Sequence, residues 1–177
     1  MIFDTHAHYN DEQFDPDRDE LLKTMEKAGV GTIMEIGASL KSSRQAVALS
    51  KQYPFVYAAV GVHPDNVGEL NEETFQDLTE MCEEPKVCAV GEIGLDYYWD
   101  KESREMQKYW FIRQLELAKE KELPVNIHSR DAAEDTMEIL KNYAGKITAI
   151  IHCYSYSKEI ALEYVKMGFY IGVGGVV

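Results

Sequence analysis

The sequence is poor in cysteine and contains no long apolar run. Its three cysteines, Cys82, Cys88 and Cys153, are odd in number and lack a CxxC spacing, which disfavours a disulfide framework or a zinc ribbon. No stretch approaches the roughly 18 apolar residues of a membrane span. The N-terminus also lacks the basic and apolar regions of a secretory signal. We therefore expect a cytoplasmic protein with reduced thiols and no membrane partner.

Basic residues are scarce relative to acidic ones. The 177 residues include 18 Lys and Arg against 31 Asp and Glu, a formal net charge of −13. This balance disfavours non-specific electrostatic binding to nucleic acid or anionic lipid. An anionic substrate therefore needs a local positive charge at its binding site. No feature indicates an obligate protein partner. The length and the 45% hydrophobic content suit one globular domain, which we expect to span residues 1–177.

Short apolar, β-branched runs alternate with amphipathic segments along the whole chain. The intervening segments carry helix boundary signals, such as Asp15 before Pro16, a stop at Gly29, and a start at Asp131. This alternation predicts an α/β domain built on a parallel sheet. The seven predicted strands cover residues 2–8, 32–36, 55–62, 86–93, 124–128, 147–152 and 169–173.

All five histidines lie at the carboxyl ends of predicted strands. His6 and His8 end the first strand, where alternate side chains share a face. His63, His128 and His152 end the third, fifth and sixth strands. In a parallel α/β barrel these strand ends converge on the face that binds ligands. We therefore expect the five imidazoles to surround one point.

A carboxylate lies among apolar residues near the end of the fourth strand. Glu92 follows Val90 and Gly91 and precedes Ile93, where a buried charge is costly unless it is paired or binds a metal. A salt bridge to lysine or arginine is one interpretation, but the clustered histidines favour metal binding. One carboxylate between two histidine pairs predicts a two-metal site. Imidazole and carboxylate suit zinc, manganese, iron or nickel better than magnesium.

Five ordered motifs carry a resemblance to a known family: DTHAH at 4–8, GVHP at 61–64, GEIGLDY at 91–97, NIHSR at 126–130 and IHCYS at 151–155. Together they resemble the TatD family of metal-dependent hydrolases, in the amidohydrolase superfamily, along the whole chain. The resemblance implies a TIM-barrel-like (β/α)8 fold and DNase activity. We expect a phosphodiesterase or deoxyribonuclease of 3′-5′ exonuclease type, acting on DNA or on a small phosphodiester through a metal-activated water.

The resemblance also implies residue roles. His6 and His8 resemble ligands of one divalent ion, His128 and His152 resemble ligands of a second, and Glu92 resembles the carboxylate that bridges them. Zinc, manganese and magnesium remain open as the two ions.

Three further positions have two interpretations each. His63 is expected to act in catalysis near the substrate phosphate, or to be a structural histidine. Arg130 is expected to hold a phosphate, or to pair with one of the acidic residues that follow it. The segment 96–99, DYYW, is placed in a loop where a ring stacks on a base or packs internally.

One departure from the family pattern concerns the C-terminus. Family members run to about 250 residues, the usual size for eight βα units. They carry an eighth strand that ends in an aspartate, whereas this sequence ends in GVGGVV at 172–177. We expect an incomplete barrel of about seven strands without the eighth βα unit. Two alternatives to a nuclease follow: a hydrolase of a small amide, lactone or ester, and an inactive metal-binding fragment.

Overall fold

The computed structural model describes residues 1–175; Val176 and Val177, the last two residues of the GVGGVV segment, lie outside the described part. Seven strands form one sheet in chain order, and every neighbouring pair is parallel. This arrangement confirms the predicted α/β class and the seven parallel strands. The strands are β1 (Ile2–Ala7), β2 (Val30–Ile36), β3 (Val56–Val60), β4 (Val87–Asp96), β5 (Val125–Arg130), β6 (Ala149–Ile151) and β7 (Tyr170–Ile171).

A helix connects each strand to the next. Several helices begin at a polar residue whose side chain accepts a hydrogen bond from the first turn, as at Ser39, Asn71, Ser103 and Ser157. Short 3-10 turns at Glu12–Phe14 and Pro64–Glu69 follow β1 and β3. The helices are α1 (Arg18–Thr24), α2 (Leu40–Gln52), α3 (Glu72–Met81), α4 (Arg104–Glu120), α5 (Ala133–Lys141) and α6 (Lys158–Lys166).

Two predicted helix starts were wrong. Helix α1 begins at Arg18 rather than beside Asp15, because the Asp15 carboxylate accepts a hydrogen bond from the Arg18 guanidinium at 2.6 Å instead of capping the helix. Helix α5 begins after Ala132, since Asp131 adopts a left-handed conformation with φ of 53°. Ala132 is the N-cap residue, and the Tyr156 hydroxyl accepts a hydrogen bond from its backbone N–H at 3.1 Å.

The sheet is strongly curved. Neighbouring strands lie about 4.8 Å apart, so a flat sheet would separate β1 from β6 by about 24 Å. The His6 ring on β1 nevertheless stacks on the ring of His152, which directly follows β6, with 3.4 Å between their centres. The carboxyl ends of the strands therefore close around one point, as in a barrel.

The main hydrophobic core lies between the sheet and its helices, and two buried glutamines interrupt it. Gln107 and Gln114 are fully buried on α4, seven residues apart on one face. The Gln107 side chain accepts from the N–H of Asp96 at 2.9 Å and donates to its carbonyl at 3.1 Å. Gln114 does the same for Val62, at 2.8 and 3.1 Å. Helix α4 thereby fixes the chain at Asp96 and immediately before His63.

No helix within residues 1–175 combines the length and the apolar character that crossing a membrane requires.

Candidate metal centre

The Glu92 carboxylate lies between two groups of histidines. Its Oε2 is 3.5 Å from His6 Nε2 and 3.8 Å from His8 Nε2. Its Oε1 is 3.0 Å from His128 Nδ1. The side chain is buried, and no lysine or arginine among residues 1–175 pairs with it. A salt bridge to lysine or arginine is therefore not what balances this charge in the described part of the chain.

The first group of donor atoms comes from His6, His8 and Glu92, whose ligand atoms all lie within 4.8 Å of one another. The two Nε2 atoms are 3.1 Å apart. His8 Nδ1 is 3.2 Å from the Ile36 carbonyl, and His6 Nδ1 is 3.4 Å from Asn126 Oδ1. Because both oxygens only accept hydrogen bonds, they favour a proton on each Nδ1. Each Nε2 then keeps its lone pair for a cation.

The second group of donor atoms comes from His63, Glu92 and His128, again within 4.8 Å of one another. His63 Nδ1 accepts a hydrogen bond from the Asp65 N–H at 3.2 Å, and its ring centre lies 4.2 Å from that of His128. His152, which the resemblance assigns to the same ion as His128, lies with its ring stacked on that of His6. The structure thus brings all five histidines together, while the sequence-based division of their roles stays a prediction.

Burial keeps most of these imidazoles neutral. Burial and the neighbouring His128 lower the pKa of His63 to about 4. Burial and the neighbouring His6 likewise lower the pKa of His152 to about 4. The pKa of His8 is also lowered, chiefly by burial. Because a metal binds only the neutral form of histidine, these rings suit a cation at neutral pH.

Glu92 and His128 behave as an ion pair. Burial is the largest single effect and opposes ionisation of Glu92, but the hydrogen bonds from His128 and His6 and the charges of His128 and His63 together outweigh it and hold the pKa of this carboxyl well below its usual value. Burial similarly opposes the charge on His128, but Glu92 and Asp96 together raise its pKa. The donor set of one carboxylate and several imidazoles fits zinc or another transition metal. A divalent cation can therefore replace the His128 proton as the partner of Glu92.

The sequence predicts a loop at Asp96, and this prediction is wrong. Strand β4 continues through Asp96 and buries it to 1% exposure. Its Oδ2 accepts a hydrogen bond from His128 Nε2 at 2.9 Å. Carboxylates that hold the second nitrogen of a metal-binding histidine fix the orientation of its ring. The alternation of Glu92, Gly94 and Asp96 beyond the apolar part of the strand is the sequence signal that could have revealed it.

Arg130 packs on aromatic rings and does not form the predicted ion pair in the described part of the chain. Its guanidinium lies 3.8 Å from the centre of the Tyr98 ring. Among residues 1–175 it forms no ion pair, and Asp135, one of the predicted partners, pairs with Lys108 at 2.8 Å. Its contact with a phosphate stays a prediction.

Comparison with known proteins gives consistent matches along the chain. Residues 3–177 match the family described as TatD related DNase. A Bacillus subtilis protein named uncharacterized metal-dependent hydrolase YabD is 42% identical over 178 residues, which cover 100% of this chain and 70% of that protein. An Erwinia tasmaniensis protein named 3'-5' ssDNA/RNA exonuclease TatD is 35% identical over 176 residues, which cover 98% of this chain and 68% of that protein.

A solved structure shares the same architecture. The crystal structure of the Escherichia coli K12 TatD homologue YjjV matches with a TM-score of 0.91 at 33% identity, covering 98% of this chain and 68% of that one. The match confirms the TIM-barrel-like fold. The family match and the histidine and glutamate cluster agree with the resemblance drawn from the five motifs. The chain therefore belongs to the TatD-related DNase family and is a metal-dependent hydrolase of that family.

Proposed function

We propose that this chain hydrolyses phosphodiester bonds in single-stranded nucleic acid, starting from the 3′ end. One observation carries the proposal: each oxygen of the buried Glu92 carboxylate faces a separate group of histidines. This arrangement is what a pair of divalent ions sharing one carboxylate requires. The name of the Erwinia tasmaniensis relative supports the choice of substrate and polarity.

The proposed ligands are the residues of the two donor groups other than His63, together with His152. His6, His8 and Glu92 would hold one ion, and Glu92, His128 and His152 would hold the other. Zinc, manganese and magnesium are the candidates, and bound ions of this kind lower the pKa of a water molecule and offset the negative charge of a phosphate.

His63 and Arg130 are proposed to position the substrate. The His63 ring lies against His128, so a phosphate held at the second group would come within its reach. Since burial and His128 lower its pKa to about 4, His63 is a neutral hydrogen-bond partner at pH 7. Arg130 presents a fixed cation on a chain with a net charge of −13, and a guanidinium can hold two phosphate oxygens at once.

We also propose that the protein works in the cytoplasm. Cys82, Cys88 and Cys153 are free thiols in the structure, and burial raises the pKa of Cys82 to about 12. Such thiols suit a reducing compartment.

The test uses the purified chain, stripped of metal by a chelator and reloaded with zinc, manganese or magnesium. We expect it to shorten a single-stranded oligonucleotide from the 3′ end, as a 5′-label would show. Glu92→Gln should lower this rate by about 10²–10⁴-fold, comparable to the loss of a catalytic proton acceptor. Glu105→Gln is the matched control, since the Glu105 side chain is 90% exposed on α4.

Three results would contradict the proposal. Hydrolysis of a lactone or an aryl ester without any cleavage of the oligonucleotide would assign the centre to carbonyl substrates. Bound metal without turnover of either substrate class would identify an inactive metal-binding chain. Equal rates for the parent and for Glu92→Gln would show that Glu92 takes no part in the reaction.

A further inference from the structure

Two aromatic side chains beside the metal centre lie open to solvent. Tyr98 is 53% exposed and Trp99 is 57% exposed, and their ring centres are 5.0 Å apart in an edge-to-face arrangement. Their neighbour Tyr97 differs, because its hydroxyl donates to Asp135 at 2.6 Å and the Arg104 guanidinium covers its ring at 4.2 Å. Tyr97 is therefore held by internal contacts, whereas Tyr98 and Trp99 stay exposed.

Arg130 completes the exposed cluster. Its guanidinium carbon lies 3.8 Å from the centre of the Tyr98 ring and 5.7 Å from that of Trp99. A cation stacked on a tyrosine is held in place by the ring while its N–H groups stay available to an anion. We call Tyr98, Trp99 and Arg130 the aromatic platform.

Short connections tie the aromatic platform to the metal centre. Asp96 Oδ1 accepts hydrogen bonds from the backbone N–H groups of Tyr98 and Trp99, each at 2.9 Å. The other oxygen of the same carboxylate contacts His128 at 2.9 Å. Arg130 lies two residues beyond His128 on β5. One buried carboxylate therefore positions both a histidine of the metal centre and the turn that carries the two exposed rings.

We propose that the aromatic platform is a subsite that stacks on an unpaired base of a single-stranded polynucleotide, next to the phosphate held at the metal centre. This inference rests on the proposed nuclease function and specifies how the substrate is bound. An exposed ring can stack on any base, because every base has an aromatic face. Arg130 supplies a cation for the adjoining phosphate. A base inside a duplex has both faces covered, so the aromatic platform selects single strands.

The test measures binding without turnover, using metal-loaded protein and a short single-stranded DNA that has 2-aminopurine as its 3′-terminal base and phosphorothioate linkages that resist hydrolysis. Stacking should quench 2-aminopurine fluorescence with the parent protein. Tyr98→Ala and Trp99→Ala should each weaken binding by about 5- to 150-fold, the equivalent of 1–3 kcal/mol for a stacked base. An otherwise identical RNA should respond in the same way.

A second oligonucleotide, abasic at the 3′-terminal position, separates stacking from a general loss of structure. Because it has no base to stack, the abasic strand should bind the parent and both alanine variants with similar affinity. Tyr109→Ala is the matched control, since Tyr109 is 49% exposed on α4 and its ring centre lies 5.8 Å from the guanidinium carbon of Arg113. This variant should bind both strands as the parent does.

The outcomes distinguish this inference from the proposed function. Equal weakening for the base-bearing and the abasic strand, or unchanged binding in both alanine variants, would overturn the aromatic platform while leaving the nuclease activity intact. If the metal-loaded parent neither binds nor cleaves any oligonucleotide, both the proposed function and the proposed subsite are wrong. A terminal base quenched by the parent but not by Tyr98→Ala or Trp99→Ala would support the subsite.

Discussion

Replacing Asp96 with asparagine should weaken metal binding by changing the tautomer of His128. Asp96 Oδ1 accepts two backbone hydrogen bonds, from Tyr98 and Trp99, and this contact requires an oxygen at that position. In Asp96→Asn the amide NH₂ group would therefore take the place of Oδ2, which lies 2.9 Å from His128 Nε2. An N–H donor there makes Nε2 an acceptor. The single ring proton then moves to Nδ1, the atom that faces Glu92.

Two effects of this substitution oppose each other. Loss of the Asp96 charge lowers the pKa of His128, because Asp96 is one of the groups that raise it. A lower pKa reduces competition from protons, but this gain shrinks as the pH rises, which is why the comparison is made at about pH 8. The tautomer with its proton on Nδ1 has to convert to the other tautomer before Nδ1 can bind a metal, and this cost is present at every pH. Loss of a carboxylate behind a metal-binding histidine typically costs about 10- to 100-fold in affinity, or about 1.4–2.7 kcal/mol.

The assay is a zinc competition titration at pH 8 against a chromophoric chelator, with the bound metal counted by elemental analysis. Asp135→Asn is the matched control. Asp135 also accepts a hydrogen bond from a neighbouring side chain, the Tyr97 hydroxyl at 2.6 Å, but it does not contact the histidines. We expect Asp135→Asn to bind zinc as the parent does. An Asp96→Asn protein that is folded and binds zinc as tightly as the parent would refute the tautomer argument.

Two other substitutions test the fold around the site. Burial raises the pKa of Glu35 to about 7. Between about pH 4.5 and 7 the folded chain therefore keeps a proton that the unfolded chain loses. The free energy of unfolding falls as the pH rises through this window. In urea denaturation, the free energy of unfolding of Glu35→Gln relative to that of the parent should therefore rise by about 2–3 kcal/mol from pH 5 to pH 8. An unchanged difference between the two proteins would contradict this. Phe111→Ala should lower the free energy of unfolding by about 3–5 kcal/mol, since this ring is fully buried on α4. Ile112→Ala, at a 41% exposed position, should cost under about 1 kcal/mol, and similar losses in both variants would refute the burial argument.

The sequence predicted the strands well because each is a short apolar run bounded by polar or glycine residues. Strand position in turn predicted the clustering of the histidines, since parallel strands all end on the same side of the sheet. The end of β4 was harder to predict. The strand continues through Asp96 beyond the predicted end because Gly94, Leu95 and Asp96 pair with β5. The buried Gln107 side chain also holds both backbone groups of Asp96.

The grouping of the histidines could not be predicted from the sequence. Whether His63 or His152 lies closer to Glu92 and His128 depends on how far the sheet curls, and curvature is set by packing between residues distant in the chain. The same limit applies to Arg130. Its acidic neighbours in the sequence suggested an ion pair, but Asp135 is taken by Tyr97 and Lys108, and the guanidinium stacks on Tyr98.

The charges at the centre explain why a cation belongs there. Glu92 and Asp96 are both buried and ionised, whereas burial lowers the pKa values of His8, His63 and His152. Because the pKa of His128 is raised, its protonated ring supplies one positive charge, which the two carboxylates share. Buried carboxylates with so little compensating charge are costly in a chain that already carries a net charge of −13. A divalent ion beside Glu92 would offset this cost without requiring any of the other histidines to take up a proton.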